Sequence, residues 1–168
     1  METKGDRVDA IQAEWRRERP DVDVDPQGVI GRLHRLAQVL TGELEAVYAA
    51  HGLAEIDFDI LCTLRRAGAP YARRPAELAR STMVTTGGIS KRLDRLEAQG
   101  LVERTKPAAG DGRATQVKLT DEGRRRIDVA FTEHMANERR LLDQLPAADQ
   151  VALEHSLRAW LAHHEPTH

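Results

Sequence analysis

Aromatic side chains are scarce, 4% of the 168 residues, and the rest of the apolar set is mostly Leu, Ala and Val. That mixture suits helix-on-helix packing better than a β-sandwich. A single cysteine, Cys62, excludes an intrachain disulfide and argues against a cysteine-built zinc site. No apolar run approaches the roughly 18 residues of a membrane span, and the opening METKGDRVDAIQ lacks the apolar core of a signal peptide. H-E-x-x-H, G-x-S-x-G, a P-loop and G-x-G-x-x-G are missing with the flanks they need. No catalytic residue and no cofactor is therefore expected, and the chain does not read as an enzyme. His34, His51, His134 and His155 are scattered. His163, His164 and His168 cluster in a tail without convergent geometry, so no metal site is expected.

What remains suits one folded domain. With 40% hydrophobic and 31% charged residues the chain can bury a sizeable core, and a cytoplasmic α-rich protein without a membrane partner is expected. The net charge of −2 conceals an asymmetry: residues 65–126 carry 15 Lys/Arg against 7 Asp/Glu, and the remaining residues carry 10 against 20. A basic middle in an acidic frame reads as a polyanion-facing surface held by a scaffold. Chance clustering of arginines is the plainer alternative.

Helical spacing opens at 6–18 and ends at Arg19-Pro20 and an acidic stretch. Asp25 then reads as an N-cap with Pro26 at the first helical position. Val29, Leu33, Leu36, Leu40, Leu44 and Val47 form the stripe of a long helix closed by Gly52. Phe58, Ile60, Leu61 and Leu64 belong to a third helix, in which Cys62 reads as a buried, inert thiol. Two short helices follow, 75–81 and 86–99, with a tight break between them. Residues 101–105 and 115–119 alternate apolar and polar as strands do, with Gly110-Asp111-Gly112 at the tip of the connecting hairpin. Thr120 caps a helix whose stripe is Ile127, Phe131, Met135, Leu142 and Leu145. Pro146 breaks it, and a last helix carries Val151, Leu153, Leu157, Trp160 and Leu161.

A helix, short turn and helix followed at once by a hairpin is the winged helix-turn-helix arrangement, whose second helix fits the major groove. Its first turn offers Thr85, Thr86, Gly87, Gly88, Ser90 and Lys91, while Ile89, Leu93 and Leu96 fix the opposite face to the core. The glycines would let the helix start approach a phosphate closely; a plain loop with capping hydroxyls is the alternative. The hairpin holds Asp111-x-Arg113 and Leu119-Thr120, the pattern D-x-R-x5-L-T. An arginine on a thin ribbon can enter a narrow minor groove, and an aspartate two residues away can hold its guanidinium.

With Pro75-Ala76-Glu77-Leu78-Ala79 and Ile89-Ser90-Lys91-Arg92-Leu93-Asp94-Arg95-Leu96-Glu97, the wing pattern resembles the MarR family of bacterial transcription regulators over roughly residues 27–162. The resemblance implies a mostly α fold with a small β-hairpin, a winged helix-turn-helix with intertwined dimerisation helices. It also implies a homodimer that reads a pseudo-palindromic duplex. Thr85, Thr86, Ser90, Lys91 and Arg95 would contact double-stranded DNA, with Arg113 in the minor groove and Asp111 orienting it. The apolar stripes at 29–47 and 127–161 exceed what one small winged domain covers, which fits a dimer independently.

Trp15, within Ala13-Glu14-Trp15-Arg16-Arg17, followed by Val29-Ile30-Gly31-Arg32-Leu33, looks like the urate-responsive branch of that family. Relatives there answer to urate, to trans-aconitate or citrate, or to aromatic metabolites. Their ligand residues map onto Trp15, Asp59 and Arg92, implying a small anionic effector. An Asp59–Arg92 ion pair would be partly buried, and an anion claiming Arg92 would shift the recognition helix. Trp15 as an ordinary hydrophobic anchor and Asp57 as the acidic partner are the rival readings. The expected organisation is an N-terminal helix and acidic linker (1–25), a dimerisation region (26–52 and 121–162), the winged domain (53–120) and a tail (163–168). A winged-helix protein-binding module without DNA readout is the alternative function.

Overall fold

The structure of the chain, a computed structural model, describes residues 5–82, 86–105 and 115–164, with the backbone alone at residues 86 and 87. It divides into two units, residues 1–44 and 45–168.

In the first unit α1 (Arg7–Glu18) starts at Asp6 because two carboxylates cap it reciprocally. Asp6 accepts from the amides of Val8 and Asp9 at 2.8 and 3.1 Å, and Asp9 accepts from the Asp6 amide at 2.8 Å. Arg32 of α2 (Gln27–Ala50) reaches both acids, at 2.8 Å from Asp6 and 2.6 Å from Asp9. Its hydrogen bond, with the Asp9 amide, holds the Asp6 carboxyl at about 2. Gln12 is buried and its amide donates to the Val24 carbonyl at 2.8 Å. The expected cap at Asp25 takes another form. α2 begins two residues later, at Gln27, and the Asp25 carboxylate accepts from Arg16 at 2.6 Å.

The second unit contains the end of α2, then α3 (Glu55–Arg65), β1 (Ala72–Arg73), α4 (Pro75–Ser81), α5 (Thr86–Ala98), β2 (Val102–Thr105), β3 (Gln116–Leu119), α6 (Asp121–Leu142) and α7 (Ala147–Leu161). The expected hairpin is present, with Val102 opposite Leu119 and Thr105 opposite Gln116. It gains a third antiparallel strand, β1, which pairs Ala72 with Lys118 and Arg73 with Val117, so the order is β1-β3-β2. Two residues are too few to display the alternation by which a strand is read.

Phe58, Ile60, Leu61 and Leu64 of α3 are buried with Leu78 of α4, Ile89, Leu93 and Leu96 of α5, Leu101 just before β2, Val117 and Leu119 of β3, and Ile127 of α6. This is one contiguous set of periodic apolar positions from each element. Burial of the α6 stripe is divided. Ile127 is inside, while Phe131, Met135 and Leu142 are exposed, and the inward positions beyond Ile127 are Ala130 and His134. His134 lies tilted against Phe58, ring centroids 5.0 Å apart, and stacks at 5.6 Å on Tyr48, whose hydroxyl is 3.3 Å from its Nδ1. α7 buries no residue within the chain. Among the described residues no helix is long and apolar enough to cross a membrane.

Candidate nucleic-acid interface

α5 is amphipathic along its length. Ile89, Leu93 and Leu96, spaced four and three, are fully buried, which fixes the helix rotationally. Ser90, Lys91 and Arg95 are consequently exposed on the outer side, and Arg92 is partly covered. Of the other expected DNA contacts, Thr86 opens α5, whereas Thr85, Asp111 and Arg113 lie outside the described residues, as does the side chain of Thr86.

Two braces hold α5. From the sheet side, Arg104 of β2 donates to Asp94 at 2.6 Å and to the Ser90 carbonyl at 3.2 Å. The Arg104 amide donates to Glu97 at 3.1 Å. Hydrogen bonds to ionised carboxylates are the stronger kind, so β2 and the exposed helix form one piece. From the core side, Asp57 of α3, fully buried, faces Arg92 at 3.7 Å and Arg95 at 3.8 Å.

This geometry corrects the expected Asp59–Arg92 pair. Phe58 is a core residue, and its two neighbours leave α3 in different directions. Asp57 points to α5, while Asp59 lies in the field of Arg66 and His134. Desolvation outweighs them and the Asp59 carboxyl titrates above its usual range. Trp15 lies in the first unit, half exposed, lining a cavity of about 580 Å³ with Val22, Gln27, Ile30 and His34. Cys62 is partly covered, and burial pushes its thiol up to about 12, consistent with an inert side chain.

The Leu119-Thr120 half of the wing pattern has a clear structural role. Leu119 is buried. The Thr120 hydroxyl donates to the Gly100 carbonyl at 2.7 Å and accepts from the Gly123 amide at 2.9 Å, while the Thr120 amide donates to the Leu101 carbonyl at 3.1 Å. The end of β3, the start of β2 and the start of α6 are thus locked together. Gly123 is required there, since a Cβ would stand 1.9 Å from the Leu101 oxygen.

Sequence reasoning missed Arg104. Its signal was available: Val102 and Arg104 share one face of a short strand, so an arginine stands where an inward residue belongs, six residues past the end of a helix carrying Asp94 and Glu97.

The family model described as MarR family matches residues 51–114. The HTH-type transcriptional regulator PecS of Dickeya dadantii is 40% identical over 146 residues, 87% of each chain. Among solved structures, AbsC, a MarR family transcriptional regulator from Streptomyces coelicolor, superposes with a TM-score of 0.73 at 26% identity, covering 84% of this chain and 95% of that one. A mutant MarR from E. coli complexed with operator DNA gives a TM-score of 0.67 at 28% identity, with 83% and 99% covered. With the braced, outward-facing second helix and the strands that follow it, these likenesses make the chain a member of the MarR family, DNA-binding transcriptional regulators rather than enzymes.

Proposed function

We propose that the chain is a homodimeric repressor that reads a pseudo-palindromic operator and is released from it by a small anionic metabolite. The observation that carries this reading is the outer side of α5, where Ser90, Lys91 and Arg95 are exposed above a fully buried Ile89, Leu93 and Leu96. Small hydrogen-bonding and cationic side chains on a rigid helix suit base edges and phosphates in the major groove. In this reading Thr85 and Thr86 complete the helix contacts, and Arg113, oriented by Asp111, enters the minor groove.

Dimerisation is supported by apolar surface left open within one chain. Val29, Leu36 and Val39 on α2, Phe131 and Met135 on α6, and Val151, Leu157 and Trp160 on α7 are all exposed. A lone soluble chain rarely leaves so much apolar surface in water, and a two-fold partner would cover it. The effector reading places the anion, whether urate, trans-aconitate, citrate or an aromatic acid, beside Trp15. It draws support from the cavity beside Trp15, whose lining includes both Arg19 and Asp23.

The test is a mobility shift with the duplex upstream of the chain's own gene, at two salt concentrations, for wild type and Lys91→Ala. Binding that weakens with salt, and a variant with lower affinity and a salt slope shallower by about one, support the reading. A chain that binds this duplex no better than a scrambled one refutes it. Adding urate or citrate should release DNA from the wild type and not from a Trp15→Ala variant that still binds.

A further inference from the structure

The least expected group in the second unit is the carboxylate of Asp57, which has no exposed surface. It sits in the first turn of α3, where its Oδ2 accepts a long hydrogen bond, 3.4 Å, from the Ala54 amide. Its Oδ1 is buried with no hydrogen-bond partner. A buried charge is tolerated only when it is compensated. Among the described residues the compensating groups are two guanidiniums of α5: Arg92 Nη1 at 3.7 Å from Oδ1 and Arg95 Nε at 3.8 Å from Oδ2. Both distances exceed a charge-assisted hydrogen bond by about 1 Å. The tie is therefore an electrostatic tether without strict direction, strengthened by the low dielectric on the Asp57 side.

Arg92 and Arg95 are three residues apart and share one helix face. They stand at the border between the buried and outer sides of α5, their side chains 33% and 49% exposed while Asp57 is 0%. The geometry points to Asp57 as a positioning residue for DNA recognition, which holds the pose of α5 through Arg92 and Arg95 and withholds part of their charge from the phosphate backbone. The inference rests on α5 being the reading helix. Phosphates are the same on every sequence, whereas base edges are read only by a helix held in register. A carboxylate that competes with phosphates for these arginines suppresses binding to arbitrary sequence and leaves discrimination to Ser90 and Lys91.

The experiment compares wild type and Asp57→Asn on two probes, the duplex upstream of the chain's own gene and a scrambled duplex of the same composition, over a range of salt. Asp57→Asn should bind the scrambled duplex more tightly, with a salt slope steeper by up to about one for each guanidinium freed. Its preference for the upstream duplex should fall roughly tenfold, the scale of one misplaced base contact. A variant that melts earlier yet keeps the wild-type preference and slope has lost only a structural residue and overturns the role. A melting cycle covers the case in which Asp57→Asn alone does not fold. Arg92→Gln with Arg95→Gln should lower the Tm by stranding the buried carboxylate, and adding Asp57→Asn should restore part of that loss. No recovery means that Asp57 does not hold the pair. A wild type that prefers neither duplex overturns the reading of α5 and this role together, while the melting cycle still reports the tether.

Discussion

Gly123→Ala is the sharpest test of how the wing is anchored. A methyl group at Gly123 would stand 1.9 Å from the Leu101 carbonyl oxygen, 2.8 Å from its carbon and 3.2 Å from its Cα. All three atoms are backbone, so no rotamer change relieves the clash, and the start of α6 must retreat from β2 by about 1.5 Å to reach ordinary contact. Retreat also stretches the 3.1 Å bond from the Thr120 amide to the same oxygen. Overpacking of this kind costs about 1–3 kcal/mol, and the weakened hydrogen bond adds about 1 kcal/mol. Alanine's helix preference returns about 1 kcal/mol. The net is a loss of about 2 kcal/mol, or a Tm lower by about 6 °C for a chain of this length. Urea titration and thermal melts at one fixed chain concentration read it, since dimerisation makes both concentration-dependent. Gly42→Ala is the matched control. It lies in α2 with nothing within 4 Å of its would-be Cβ, and should stabilise by up to about 1 kcal/mol. Gly123→Ala as stable as wild type, or both variants shifting in the same direction, would refute the close approach.

Three further outcomes follow from individual contacts. Arg104→Ala removes the bonds to Asp94 and the Ser90 carbonyl; operator affinity should fall by roughly tenfold, while urea stability changes by no more than about 1 kcal/mol, because ion pairs near the surface contribute little. Equal losses in both measurements would make Arg104 merely structural. Arg32 holds the Asp6 carboxyl down from 3.8 to about 2; a depressed carboxyl stabilises the fold above its unfolded value, and this contribution disappears as pH falls between those two values. Acid titration of Trp15 fluorescence in a Trp160→Phe background should therefore show α1 loosening in that window, at a higher pH in Arg32→Ala, and an identical transition in the variant would contradict the pairing. With its thiol pushed up to about 12, Cys62 should react with a thiol reagent at neutral pH at least tenfold more slowly in the native chain than in urea. Equal rates would show it to be open.

Much of the fold was legible because its elements announce themselves by period. Four-and-three spacing of Ile89, Leu93 and Leu96, and three-and-three spacing of Phe58, Leu61 and Leu64, mark which faces are buried, and all six are. Period-two alternation marks β2 and β3. β1 was not legible because pairing across the sheet defines it, and two residues carry no period. Phe131 and Met135 continue the stripe of Ile127 but are exposed, since apolar spacing says which face is apolar and not what covers it. The Asp57–Asp59 choice was hidden for a related reason. Adjacent acids flanking a core phenylalanine are equivalent in sequence, and only the placement of α5 separates the one facing Arg92 from the one facing Arg66 and His134. His134 read as a scattered histidine, although the ring completes an aromatic cluster, stacked on Tyr48 and tilted against Phe58.

Guanine-N7 methylation interference tests the central claim most directly, because N7 lies in the major groove and is untouched by backbone contacts. The upstream duplex is partly methylated, bound by the wild-type chain, and the bound and free fractions are cleaved and compared. The account predicts interference at two symmetry-related clusters about one helical turn apart, one for each α5 of a dimer, and loss of the pattern in Lys91→Ala. Binding that is indifferent to N7 methylation at every guanine, or interference confined to a single cluster, would contradict it.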